Sequence, residues 1–184
     1  MRALIFVFAL VGTPAAALEY CEELWFARNM MFHKAGYCFG SNLGKAVYGN
    51  FNCVGKDVSL SEEDNAFLGL VRKAEAAENC RIDTKAGSLS VSLPEDRKAL
   101  EQQPFPSLFE SSCLGWKGDP LPLHIARDQT SSALGQVSTG DALLFQYEDV
   151  DGWSFVEVMQ AGEVTNVGWT KVNINEDVCT LIAG

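Results

Sequence analysis

Basic residues are in short supply. Fourteen lysines and arginines stand against 24 aspartates and glutamates, a formal net charge of −10. Such a surface repels phosphate backbones and anionic lipid, which argues against nucleic acid or an anionic membrane face as partner. The imbalance is uneven: residues 18–82 hold 9 acids against 7 bases, and residues 83–184 hold 15 against 6. Histidine is scarcer still, with only His33 and His124. Both have apolar neighbours, a setting that suits a satisfied structural imidazole better than acid–base work. No two cysteines are close enough for a zinc or thioredoxin-type site. Nucleophile elbow, HExxH and glycine-rich phosphate loop are all missing. The sequence therefore nominates no catalytic residue, no metal and no cofactor.

Long apolar runs are also lacking. The one candidate, Ala3 to Val11, holds nine residues, whereas a membrane-spanning helix needs roughly 20. It follows Arg2 and precedes Ala15-Ala16-Ala17, so residues 1–17 read as a cleavable secretory signal, with the mature chain starting at Leu18. Leu18-Glu19-Tyr20 before Cys21 does not suit a lipoprotein signal, and no membrane anchor is expected. An export signal places the product in the periplasm or outside the cell. There the six cysteines, Cys21, Cys38, Cys53, Cys80, Cys113 and Cys179, are expected to form three disulfides.

What is present divides the chain in two. Cys21, Leu24, Trp25, Met31, Phe32 and Ala35 recur at helical spacing and stop at Gly36. A short helix follows Ser41 and ends near Gly49. A third is capped by Ser61, carries Glu62, Glu63 and Asp64 at its positive end, and lines one face with Phe67, Leu70, Val71 and Ala74. Antiparallel packing of the first and third helices brings Cys21 and Cys80 to one end. Cys38 and Cys53 would close a loop worth ~3 kcal/mol of chain entropy. Arg28 and Asn29 are a polar pair in an apolar helix, with a structural role favoured over ligand contact.

Residues 83–112 read as a connector, with a short strand from Ser88 to Leu93 and a helix from Pro94 to about Gln102. From Cys113 onward strands dominate: Leu121 to Ile125, Ala142 to Tyr147, Trp153 to Met159 and Val167 to Val172. Asp149-Val150-Asp151-Gly152 shares half a calcium loop's pattern but lacks its distal glutamate, and reads as a hairpin turn. Cys113 and Cys179 bracket this region and are the third expected pair.

Two stretches resemble known families. Leu24, Ala27-Arg28-Asn29, Phe32-His33-Lys34-Ala35-Gly36, Tyr37-Cys38-Phe39, Leu43 and Leu60 to Asn65 resemble the YARHG domain, an extracellular bacterial module, over residues 24–78. Lys34-Ala35 stands where that family usually has Arg-His. Cys38 and Cys53 occupy positions where it often has an aromatic pair, which implies a bridge replacing that contact. Leu121-Pro122-Leu123, Ala133 to Val137, Gly140-Asp141, Gly152-Trp153 and Gly168-Trp169 resemble a bacterial Src-homology-3-like domain, each Gly-Trp pair opening a strand. Arg127-Asp128-Gln129-Thr130 replaces that family's usual loop.

The expected architecture is α+β: a small helical domain over 18–82, the connector, and a small closed β-barrel over 113–184. The resemblances imply a non-catalytic binding protein for cell-wall peptide or glycan, or for an envelope protein. Arg127, Tyr147, Trp153 and Trp169 are the candidate contacts. The alternatives are a carboxylate-dependent cell-wall hydrolase and an inhibitor of a secreted enzyme.

Overall fold

The computed structural model describes residues 14–184. The signal sequence read over residues 1–17 thus lies outside the described residues, except for its last four, which belong to a helix. That helix, α1 (Pro14–Lys34), is followed by α2 (Asn42–Tyr48) and α3 (Glu62–Ala77). The hydroxyl of Ser41 accepts from Gly44 N and that of Ser61 from Asp64 N, so both expected caps are in place.

The helical core gathers Trp25, Phe26, Met30 and Met31 of α1 around Phe39, Leu43 and Tyr48. Tyr48 is its centre, stacked on Phe39 at 5.0 Å and Phe26 at 5.6 Å, with its hydroxyl donating to the Phe26 carbonyl. Disulfides join Cys21 to Cys80 and Cys38 to Cys53. Arg28 pairs with Glu75 across α1 and α3 at 2.9 Å, and Asn29 donates to the Trp25 carbonyl one turn back. Both polar residues hold the fold. One expectation needs correction: Leu70 is 58% exposed, and Leu68 takes the buried place beside Val71. Ala74 and Glu75 are both half-buried, and Glu75 meets Arg28 of α1.

The connector of residues 83–112 also differs from expectation. Residues 88–93 form no strand, and the helix α4 is confined to Pro94–Lys98. Pro106–Trp116 is already β1. There follow β2 (Leu121–His124), β3 (Ala133–Val137), β4 (Ala142–Tyr147), β5 (Ser154–Gln160), β6 (Glu163–Thr170) and β7 (Cys179–Ala183). They make one antiparallel sheet in the order β3-β2-β6-β5-β4-β1-β7. A third disulfide, Cys113–Cys179, ties the last strand to the first.

The sheet is not closed into the expected barrel, since β3 and β7 are left as edges. The physical reason lies in β5, whose residues Ser154 to Val158 are all buried. A barrel hides one face of each strand; here both faces are covered. One carries Cys113, Trp116, Leu123, Val137, Leu143, Val156, Val158 and Cys179. The other carries Tyr147, Trp153, Phe155, Val167 and Trp169, capped by Leu93 and Leu100 on either side of α4. The segment read as a connector is therefore a core layer.

The turns obey local chemistry. Asp151 and Gly152 both have positive φ between the bridged Val150 and Trp153, the geometry that a two-residue hairpin demands. Gly152-Trp153 does lead into β5. Gly168-Trp169 instead lies near the end of β6, where a Cβ on Gly168 would stand 2.8 Å from that of Leu123. That glycine lets β2 cross close to β6.

Candidate binding surface

The four sequence-nominated contacts fall at the seam between helices and sheet, and three of them are core. Trp169 is fully buried and donates its indole N–H to the Gln102 carbonyl at 2.9 Å. Trp153 is buried in a T-shaped contact with His124 at 5.9 Å, with the Lys171 ammonium over its ring at 5.2 Å. Arg127 lies half-buried over the Trp169 ring at 5.2 Å. It helps line a cleft with Glu63, Asp64, Phe67, Leu70 and Glu101. Aromatics at strand spacing were core material in this sheet, as large rings usually are.

Tyr147 belongs to a buried polar cluster that the sequence did not reveal. Arg97 of α4 is fully buried. Its Nη1 donates to Glu23 Oε1 at 2.9 Å and to the Tyr147 hydroxyl at 3.1 Å, while Nη2 lies 2.8 Å from Glu23 Oε2. Its guanidinium also faces the rings of Phe26 at 4.8 Å, Tyr147 at 5.4 Å and Phe155 at 5.8 Å. Tyr147 passes the chain on, donating to Glu157 Oε1 at 3.0 Å. Burial works against charge on Arg97, but Glu23, together with Tyr147 and Glu157, outweighs it and raises the pKa, so Arg97 stays cationic. Arg97 thus joins α1, α4, β4 and β5. A run reading Pro-Glu-Asp-Arg-Lys looks like solvated surface, which is why sequence reasoning passed over it.

Burial pushes the Glu157 carboxyl above its ordinary pKa, with Arg97 only partly opposing. The folded state then keeps this proton to higher pH than the unfolded chain does. The stabilisation is complete below the ordinary carboxylate range and fades as pH rises through the raised value. Glu157→Gln should remove that dependence while keeping an acceptor for Tyr147. Melting temperature measured against pH should show the variant above wild type at neutral pH, the gap shrinking on acidification. A constant gap would mean that Glu157 does not titrate in this window.

The exposed part of the seam is the first half of β1. Its pairing with β4 is irregular between Pro106 and Ser111, a bulge of the kind that re-aims side chains at sheet edges. Here Leu108 is 60% and Phe109 85% exposed. The strand's alternation sends them to opposite sides. Pro106, Leu108, Glu110 and Gln146 line a cleft of about 500 Å³ with Glu19, Tyr20 and Glu78. Ser107, Phe109, Ser111 and Phe145 line a second of about 470 Å³ with Glu148 and Asp149. Tyr147 lines both clefts. Burial, then Glu78 and Glu148, raise the pKa of Tyr20, so it remains a neutral phenol. The available signal in the sequence was a pair of large apolar residues in a polar stretch flanked by Pro104 and Pro106.

Among the described residues no group of three or more histidine, cysteine or acidic side chains is arranged to hold a metal ion. No described helix is long and apolar enough to cross a membrane. Comparison with protein families divides the chain much as its structure does. Residues 10–76 match the YARHG domain, and residues 79–184 match a family described as Domain of unknown function (DUF4453). The second match spans more than half of the chain, which belongs to the DUF4453 family and carries a YARHG domain before it. That match takes in the connector together with the strands, and no family model identifies the sheet as Src-homology-3-like. No curated protein and no solved structure matches the chain.

Proposed function

We propose that this is an exported, non-catalytic binding protein of the bacterial envelope, recognising cell-wall material or an envelope protein. The observation that carries the reading is the β1 bulge, which holds Leu108 and Phe109 outward over a cleft on either side. Large apolar side chains displayed beside clefts are the usual make-up of a contact surface. Export to the periplasm or beyond is supported by the signal-like residues 1–17 and by three disulfides, which persist in oxidising compartments. The Gly-Trp pairs and the β2–β6 order leave an opened-out Src-homology-3-like sheet as the proposed ancestry of the second half.

Phe109→Ser should weaken retention of the purified protein on its envelope target by about tenfold, the effect of losing one anchoring ring. The melting temperature should hardly move, because the ring is solvent-exposed. Co-sedimentation with cell-wall sacculi and capture by immobilised envelope proteins would measure this. Unchanged retention would remove the bulge from the binding surface. Soluble sugar or peptide fragments released from sacculi, and abolished by a single carboxylate substitution, would favour the hydrolase.

A further inference from the structure

Resting on the reading of the β1 bulge as a binding surface, we propose that its ligand is a basic, extended segment of another protein. Three observations lead there. The first is charge. Glu19, Glu23, Glu78 and Glu110 line the first cleft, Glu148 and Asp149 the second, and neither lining contains a lysine, arginine or histidine. Glu23 is committed to Arg97. None of the other five carboxylates has an ion-pair partner among the described residues. An anionic ligand is repelled from both sides, whereas lysine or arginine side chains would meet a counter-charge in each cleft.

The second observation is the free edge. β7 pairs with β1 only from Ser112 to Trp116. Among the described residues no strand lies along the outer edge of Ser107 to Phe109, while Gly184, next after β7, reaches the Glu110 carbonyl. A third, smaller hollow shares Glu110 and Gln146 with the first cleft and reaches Ala183 and Gly184 across β4, β1 and β7. An extended peptide laid there would continue the line of β7 and pair through its main chain, the mode known as strand addition. The third observation is alternation. The clefts lie on opposite sides of β1, and an all-L extended chain sends successive side chains to opposite faces. A peptide of alternating D and L residues does not share that alternation, which favours a protein segment over a wall peptide.

Fluorescence anisotropy tests this with a labelled peptide of alternating lysine and valine and the purified protein. Three comparison probes are the same peptide with glutamate for lysine, its alternating D/L form, and purified sacculi. The lysine peptide should bind saturably and more weakly as salt rises. Glu78→Gln with Glu110→Gln should cost about fivefold or more in affinity. Glu62→Gln with Glu163→Gln, the same change in net charge away from the clefts, should leave affinity unchanged. Phe109→Ser should lower it about tenfold with the melting temperature retained. Equal binding of the glutamate or D/L peptide overturns the proposal, as does an equal loss in the charge-matched control. Sacculi retained through Phe109 with no peptide bound would sink this ligand but keep the binding function. Phe109→Ser without effect on any probe would sink both.

Discussion

Arg97→Met is expected to destabilise the protein by about 3–5 kcal/mol, the usual cost of removing one partner of a buried ion pair. Methionine fills most of the volume, so the loss would reflect charge and hydrogen bonding more than a cavity. It strands the Glu23 carboxylate, takes a donor from the Tyr147 hydroxyl, and leaves Glu157 with less opposition to its burial. Three rings also lose the cation they face. Because Arg97 ties α1 to β4 and β5, the loss should appear at the seam first. Amide exchange ought to rise in α4 and in the β1 bulge before it rises around Tyr48. Denaturant melts with a fall below about 1 kcal/mol would show that Arg97 is not the clasp. Arg97→Lys should recover little, since a single ammonium cannot hold both Glu23 oxygens and lie flat among the rings.

Replacing both Cys113 and Cys179 by alanine should cost ~4 kcal/mol on the chain-entropy estimate. The bridge spans 66 residues and encloses nearly the whole sheet, with Cys113 fully buried and Cys179 almost so. Without it, β7 is an edge strand whose Leu181 and Ile182 are both substantially exposed, so little apolar burial would hold it. The variant should melt much lower and lose exchange protection in β7 and in Ser112–Trp116. Cys38–Cys53 closes a shorter loop, and its loss should cost less, ~3 kcal/mol. Non-reduced peptide mapping with titrated reductant adds an order: the partly exposed Cys38–Cys53 should open before the buried pair. A variant lacking Cys113–Cys179 that melts like wild type would overturn the assignment of that bridge as the main staple of the sheet.

Both expectations concern features that differ in how far the sequence disclosed them. Six cysteines allow 15 connectivities; the pairs were expected because antiparallel helices bring Cys21 to Cys80 and because Cys113 and Cys179 flank the strands, and the structure decides in favour of them. The caps at Ser41 and Ser61 and the hairpin at Asp151-Gly152 were legible because each is decided within a few residues. β4 and β5 were legible from runs of apolar residues between turns. β1 was not, because Pro106-Ser-Leu-Phe-Glu-Ser-Ser has no strand pattern of its own and is held to β4 only at its two ends. Leu68 was missed and Leu70 expected in its place because the face that α3 turns inward is decided by its tertiary partners, among them Arg28 and the Cys21–Cys80 bridge, which no local pattern encodes.

By itself, then, the sequence determined the division into helices and strands, the acidic surface and the cap and turn positions. These rest on short-range backbone chemistry or on net charge. Only the tertiary structure decided that the connector is a core layer, that the sheet stays open, and that Tyr147, Trp153 and Trp169 face inward. It also decided that Arg97 is buried while Phe109 is not. Burial is a property of what packs across from a residue: an arginine enters the core where Glu23 and three rings await it, and a phenylalanine stays outside where a bulge turns it away.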